Sequence, residues 1–248
     1  MTSDDAIPAA TLVVWKDNAP GPEILVVERS ARMAFAAGAI VFPGGRIDDA
    51  DHDLAAALGS PGEAARITAI RETIEETGVA PGLAEPIEPA LGLVLQAELH
   101  QGRDFGQLLD AHRLALDLEA LTPFARWMPA FKQPRKFDTL FFLARAPLGE
   151  WVPNPQQGEC VAAEWASPVE LLDRIERGEA GAIFPTKRNL ERLAQHGRLE
   201  LALADARAHS LDTIIPWVEE IDGEPHVRIP DGRGYPVISE PLATAFRA

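Results

Sequence analysis

The chain has 248 residues, of which 38 are Asp or Glu and 23 are Lys or Arg, so its formal net charge is −15. This charge argues against nucleic acid and anionic membrane surfaces as partners, because both bind proteins through basic surfaces. A single cysteine, Cys160, excludes an internal disulfide and a zinc site built from cysteines. The sequence shows neither a secretory signal nor an apolar run long enough to span a membrane, and we therefore expect a cytoplasmic protein.

The beginning of the chain predicts three strands. Residues 11–15, 23–27 and 39–42 are short segments rich in Val, Leu and Ile, which favour strands. Residues 18–22 contain Asn, Gly and two prolines, so we expect the first two strands to form a hairpin around them.

A helix follows these strands. Residues 54–58 favour one or two helical turns, and the next segment begins the main helix. Ser60 and Glu63 have the spacing of a capping box, and Gly78 is placed to end the helix after Thr77. The helix should bury a stripe of isoleucines spaced i, i+3 and i+7, namely Ile67, Ile70 and Ile74.

The remainder of the chain mixes strands and helices, which favours a layered α/β domain. Residues 84–118 are expected to be mostly helical, with 105–114 the clearest helix. We predict strands at 125–127, 139–144 and 160–165, helices at 168–176 and 187–195, and a hairpin within 214–238.

The main helix carries three carboxylates on one face. Glu72, Glu75 and Glu76 recur at i, i+3 and i+4, so their side chains lie close together. Hard oxygen ligands in this arrangement suit Mg²⁺ or Mn²⁺, although an ordinary solvated acidic face has the same pattern. Glu159 precedes a predicted strand and could reach the same site from another element.

A carboxylate-bound divalent metal is typical of enzymes that act on phosphates or diphosphates. Local cations would help a negatively charged protein to bind such an anionic substrate. The candidates are Arg29, Arg32, Arg46, Lys132, Arg135, Lys136, Lys187 and Arg188.

The segment from Glu63 to Val79 resembles the Nudix box, G-x5-E-x7-R-E-U-x-E-E-x-G-U, in which U is apolar. Seven residues separate Glu63 from Arg71, as in the box, and Thr73 stands where an aliphatic residue is usual. Upstream, 17 residues rather than five separate Gly45 from Glu63, which corresponds to an insertion of 12 residues. We expect this insertion to lie in the loop before the helix, where loops tolerate extra residues.

Other segments resemble the coenzyme A diphosphatase branch of the Nudix family. Residues 25–30, Gly38 and residues 42–45 are similar to its signature, L-L-T-x-R-S-x3-R-x3-G-x3-F-P-G-G, with Val27 and Ala34 as departures. Residues 135–139 and the helical stretch after the box resemble the acyl-CoA diphosphatase type. The resemblance covers roughly residues 8–200.

The resemblance implies an α/β fold, a Nudix-type α/β/α sandwich with a mixed sheet. Residues 1–205 would form the hydrolase domain, with a helical insertion at about 84–120, and residues 206–248 would form a C-terminal extension packed on it.

The resemblance also implies roles for individual residues. Metal binding would fall to Glu72, Glu75, Glu76 and Glu159, with Gly45 letting the loop pass close to the helix. Catalytic roles would fall to Glu72, Glu75, Glu159 and Arg71, the last through an ion pair with Glu75. Glu63 would support the loop as the capping-box partner. Substrate binding would fall to Arg29, Arg32, Arg46, Arg135 and Lys136.

The implied activity is Mg²⁺- or Mn²⁺-dependent hydrolysis of a nucleoside diphosphate linked to another moiety. Coenzyme A or acyl-CoA is the favoured substrate, and a homodimer is possible. One alternative is a diphosphatase for ADP-ribose or another nucleoside-diphosphate sugar. Two others are a non-catalytic nucleotide-sensing module and an acidic helical protein without a metal site.

Overall fold

The computed structural model describes residues 6–30, 38–129 and 136–245. Within these ranges the strands form a larger sheet of eight strands and a smaller one of three. The larger sheet contains β1 (Ile7–Lys16), β2 (Glu23–Arg29), β3 (Ala39–Val41), β4 (Gly44–Arg46), β5 (Thr122–Trp127), β6 (Phe137–Arg145), β7 (Cys160–Ala166) and β8 (Gly181–Ala182). The smaller sheet contains β9 (Trp217–Ile221), β10 (Glu224–Arg228) and β11 (Ser239–Pro241).

Eight helices accompany these strands within the described residues. They are α1 (Asp49–Ala57), α2 (Ala64–Thr77), α3 (Pro89–His100), α4 (Phe105–His112), α5 (Pro168–Glu176), α6 (Phe184–Leu193), α7 (Leu199–Ala208) and α8 (Leu242–Ala245). In this part of the chain no helix is both long enough and apolar enough to cross a membrane.

Strand β1 organises the larger sheet. Strand β6 runs parallel to it along one edge, while the other edge is shared between β4 at its beginning and β2 at its end. The chain passes from β3, which pairs with β2, to β4, which pairs with β1, through Phe42 and Pro43. This crossing brings the two glycines of β4 beside helix α2.

The larger sheet has a hydrophobic core on each face, because successive side chains of β1 point in opposite directions. Val13 and Trp15 belong to the core that also contains residues of α5, α6 and α7. Leu12 and Val14 belong to the core formed with α2, α3 and α4. The predicted α/β/α sandwich with a mixed sheet is therefore confirmed.

Helix α2 buries the predicted stripe, since Ile67, Ile70 and Ile74 are fully inaccessible to solvent. The predicted start of this helix is wrong. The Ser60 amide donates to the Ala55 carbonyl and so belongs to the end of α1, and the Glu63 amide donates to the Ser60 carbonyl in a separate turn. Glu63 directly precedes the helix without a side-chain cap, and its carboxylate pairs with Arg66.

The segment before α2 is also more ordered than the sequence indicated. Instead of a loop with one or two helical turns at 54–58, it contains the helix Asp49–Ala57. The region 84–118 contains α3 and α4, in agreement with the helical prediction.

The C-terminal residues pack on the sandwich. The hairpin around Asp222 and Gly223 is present as β9 and β10, and β11 adds a third strand that the sequence pattern did not predict. Val227 and Tyr235 lie in the same core as Val13. Helix α7 runs through residues 205 and 206, the position of the expected division between domain and extension.

Gly78 ends helix α2 in a left-handed conformation, with φ of +69°. The position that a Cβ would occupy on Gly78 faces α3. A Cβ at this position would lie 2.9 Å from a methyl carbon of Leu93 and 3.1 Å from Oε1 of Gln96. The backbone at the end of α2 therefore favours glycine, and an added Cβ would also require Leu93 and Gln96 to shift.

An alanine in the left-handed conformation costs roughly 1 kcal/mol relative to glycine. We expect Gly78→Ala to lower the free energy of unfolding by more than this amount, because the added Cβ also contacts α3. Gly178→Ala is the matched control, because Gly178 also has a φ of +69° but no heavy atom within 4 Å of an added Cβ. Urea denaturation of both variants measures the difference. Equal losses would show that α3 does not restrain the end of α2.

Candidate active site

The candidate site lies where the last turns of α2 meet β4. A Cβ on Gly45 would overlap the carboxylate of Glu72, and one on Gly44 would overlap the backbone of β1. The Gly44 amide donates a hydrogen bond of 3.2 Å to Oε2 of Glu76. Gly45 thus allows β4 to pass directly against the carboxylate of Glu72, and Gly44 allows it to pass directly against β1.

The carboxylates of this face are largely withdrawn from water. Glu76 is only 3% exposed, and its burial, together with the nearby charge of Glu72, raises its pKa well above the ordinary value. Burial also raises the pKa of Glu72 to about 7, in opposition to the neighbouring charge of Arg71. Glu75 lies at the more open side of the same face. Negative charge is thus concentrated where solvent compensates it poorly.

Arg71 is the main cation inside this cluster. Its guanidinium donates to both carboxylate oxygens of Asp51, at 2.9 Å each, and to Oε1 of Glu72 at 2.7 Å. Burial disfavours the charged guanidinium, but the bonds to Asp51 and the charge of Glu72 outweigh burial and raise the pKa of Arg71. The expected partner, Glu75, is more distant at 3.4 Å, so Asp51 and Glu72 are the principal partners.

Asp51 was missed by the sequence analysis. It lies near the start of helix α1, is 2% exposed, and also accepts a hydrogen bond of 2.8 Å from the Thr68 hydroxyl. Five residues separate it from Gly45, which is the spacing that the Nudix box gives its first acidic residue. The inserted residues therefore follow Asp51, and Glu63, which pairs with Arg66, does not occupy the position of that acid.

Strand pairing brings two further predicted residues to the site. Arg29, at the end of β2, lies opposite Cys160, so the exposed Glu159 is adjacent to it. The charge of Arg29 lowers the pKa of Glu76, and that of Glu159 raises it, although burial is the larger influence. Both side chains are therefore within electrostatic range of Glu76.

The remaining candidate cations occupy different places. Arg46 is exposed and pairs with Asp48, while Lys136 precedes β6 next to Ile7, at the end of the sheet that carries Arg46. Lys187 and Arg188 bind Glu240 of β11 at 2.7 and 2.9 Å, which joins α6 to the C-terminal residues. Three of the predicted cations, Arg32, Lys132 and Arg135, lie outside the described residues.

The chemistry of the carboxylate face fits a divalent cation. Glu72 and Glu76 supply hard oxygen ligands, and one guanidinium shared with Asp51 does not balance their charge. Among the described residues, no three side chains of His, Cys, Asp and Glu already form a ligand set. Glu72 instead faces Arg71, and Glu76 accepts from the Gly44 amide.

Comparison with known proteins agrees with this fold and site. The family model described as NUDIX domain matches residues 6–94. The crystal structure of a NUDIX hydrolase from Alicyclobacillus acidocaldarius superposes with a TM-score of 0.70 at 34% sequence identity, and the match covers 84% of this chain and 97% of that one. This chain belongs to the Nudix hydrolase family.

Within that family the chain resembles the acyl-coenzyme A diphosphatases. It is 30% identical to acyl-coenzyme A diphosphatase NUDT19 of Gallus gallus over 71% of this chain and 62% of the relative. It is 26% identical to the Homo sapiens protein of the same name over 84% of this chain and 71% of the relative. The match thus spans less than two thirds of the length of the chicken protein. The family assignment and the resemblance to this branch, both predicted from the sequence, are confirmed.

Removing the charge of Asp51 should destabilise the protein, because Arg71 then loses its bidentate ion pair with the Asp51 carboxylate. We expect Asp51→Asn to lower the free energy of unfolding by about 2 kcal/mol, as is typical for lost hydrogen bonds to charged groups. Asp53→Asn, in an exposed position of the same helix, should have no comparable effect. Denaturant unfolding of both variants measures this, and equal stabilities would contradict the anchoring role of Asp51.

Proposed function

We propose that this chain is a divalent-metal-dependent diphosphatase that hydrolyses coenzyme A or acyl-CoA. Water attacks one phosphorus of the diphosphate, the bridging P–O bond breaks, and each product keeps one of the two phosphates. The products are 3′,5′-ADP and phosphopantetheine or its acyl derivative. Mg²⁺ or Mn²⁺ would supply charge neutralisation at the phosphates and a lowered pKa for water.

The observation that carries this proposal is the pair of withdrawn carboxylates, Glu72 and Glu76, directly beneath the Gly44–Arg46 strand. Buried carboxylates with raised pKa values and too little positive charge around them are characteristic of functional sites. The simplest alternative is a solvated acidic helix face, which would leave Glu76 exposed to water. Glu76 is only 3% exposed.

The roles follow from position. Glu72, Glu75 and Glu76 would hold the metal, and Arg71 would orient Glu72 through its bond of 2.7 Å. Glu159 directly precedes β7 and is exposed, which suits either a further ligand or the group that takes the proton from the attacking water.

Anionic groups of the substrate would meet the predicted cations around this face. Arg29 is within electrostatic range of the carboxylates, since its charge lowers the pKa of Glu76. Arg46 and Lys136 lie at the same end of the sheet. Arg32 and Arg135, outside the described residues, retain the substrate-binding role that the sequence assigns to them.

The choice of coenzyme A rests on the relatives. The chicken and human proteins to which this chain is similar are named acyl-coenzyme A diphosphatases. The sequence supports the same choice through residues 25–30, Gly38 and 42–45, which resemble the signature of that branch.

Product analysis by liquid chromatography tests the substrate. With Mg²⁺ or Mn²⁺, the purified protein should convert coenzyme A or an acyl-CoA into 3′,5′-ADP and a phosphopantetheine, and it should cleave ADP-ribose and dinucleoside polyphosphates more slowly. An untouched CoA sample beside cleaved ADP-ribose would refute the coenzyme A assignment. A sample without added metal and with EDTA is the control for metal dependence.

Replacing Glu76 should abolish most of the activity without harming the fold. We expect Glu76→Gln to lower kcat by at least about a hundredfold, because losing a charged metal ligand costs several kcal/mol of transition-state stabilisation. The glutamine carbonyl can still accept from the Gly44 amide, so the melting temperature in EDTA should not fall. Near-wild-type turnover would contradict the assignment, and Glu164→Gln, at a partly exposed position in β7, is the control.

A further inference from the structure

The carbonyl groups at the end of α2 are bound by elements from elsewhere in the chain. The last turn of a helix leaves such carbonyls without partners inside the helix. Here the Glu75 carbonyl accepts from Nε2 of Gln96 at 3.0 Å and lies 2.8 Å from Nε2 of His100. The Glu76 carbonyl accepts from the Gln156 amide at 3.0 Å, and the Thr77 carbonyl accepts from the Asn154 amide at 2.7 Å. The turn that carries Glu75 and Glu76 is thus held from outside.

Gln96 connects the groups that do this. It lies in α3 of the helical insertion and is only 2% exposed. Its Nε2 donates to the carbonyl of Asn154 at 2.8 Å as well as to that of Glu75, and its Oε1 accepts from Nδ2 of Asn154 at 2.7 Å. One buried amide therefore joins α3, the last turn of α2 and the segment that leads from Asn154 to Glu159.

Close packing fixes the distance over which this amide acts. A Cβ on Gly92 of α3 would overlap the Gly78 carbonyl and the ring of Trp151. Because α3 lies this near to the end of α2, the buried Gln96 side chain reaches the Glu75 carbonyl directly. The Gln96 amide uses two donor hydrogens and one acceptor oxygen. These directional hydrogen bonds fix the relative orientation of the groups that they join, which apolar packing does not.

We infer that Gln96 is a positioning residue, which holds the metal-binding turn of α2 in register with the segment that carries Glu159. This inference rests on the proposed function. Gln96 touches neither substrate nor metal and acts through the backbone of Glu75 and through Asn154. Residues that orient metal ligands from behind typically change metal affinity or activity by about 10- to 100-fold when they are replaced.

The test compares Gln96→Met, which keeps the length of the side chain but removes its donors and acceptor, with Gln107→Met. Gln107 is exposed on α4 and provides the same chemical change away from the α2 turn. Mn²⁺ affinity is measured by electron paramagnetic resonance of the free ion, and kcat and KM are measured with coenzyme A, below the melting temperature of each variant. For Gln96→Met we expect Mn²⁺ binding about tenfold weaker and kcat about tenfold lower, with KM within about twofold. Gln107→Met should match the wild type.

Asn154→Ala provides a second variant, which leaves the packing of the hydrophobic core unchanged because Asn154 is exposed. It removes the donor to Oε1 of Gln96 and should weaken Mn²⁺ binding in the same direction. The double variant should be no worse than Gln96→Met alone, since both changes act through one contact. A lower melting temperature with unchanged Mn²⁺ affinity and kcat in both variants would overturn the inference. Failure of the wild type to cleave any diphosphate would instead refute the proposed function, and Mn²⁺ affinity would still decide the role of Gln96.

Discussion

The burial of negative charge on one face of α2 is the constraint to which the surrounding structure responds. Glu76 is almost fully covered, and the nearby charge of Glu72 adds to the cost of ionising it. Such a cluster is tolerated when cations or hydrogen-bond donors are fixed beside it. In this protein the compensating groups are Arg71, the Gly44 amide and Arg29. They leave part of the negative charge uncompensated, and this remaining charge makes the face suitable for a divalent metal.

The position of this face depends on the opposite side of the same helix. The isoleucines of α2 are packed into the core on the sheet, which sets the rotation of the helix about its axis. With that rotation fixed, Gly45 of β4 lies so close to the carboxylate of Glu72 that no side chain fits between them. Packing and electrostatics therefore act on the two sides of one helix, and neither alone would create the site.

Helices α1 and α3 complete the surroundings of α2. Helix α1 supplies Asp51, which anchors the arginine of the cluster, and helix α3 supplies Gln96, which binds the carbonyl of Glu75. Both are buried polar side chains whose hydrogen bonds reach α2 directly, and Gln96 also binds Asn154, whose backbone amide is bound to the end of α2. Helices whose contacts with α2 the sequence pattern did not predict thus contribute to the order of the candidate site.

The sequence by itself determined the features that depend on near neighbours. Apolar runs predicted six strands of the larger sheet but not the short strands β4 and β8. The isoleucine spacing predicted the buried side of α2, and the spacing of Glu72, Glu75 and Glu76 placed three carboxylates together. The Nudix pattern gave the family. The local pattern was misleading at Ser60, which has the sequence of a helix cap for α2. In the structure its amide binds the Ala55 carbonyl, so Ser60 belongs to the end of α1 instead.

Only the tertiary structure decided which distant residues serve this face. The contacts of Arg71 with Asp51, of Gln96 with Asn154, and of Glu76 with Gly44 join residues separated by 20, 58 and 32 positions. Helical and strand periodicities relate residues only a few positions apart, so they carry no information about these pairs. The pairs are fixed by the packing of α1 and α3 on α2 and by the pairing of β4 with β1, which arise when the whole domain folds.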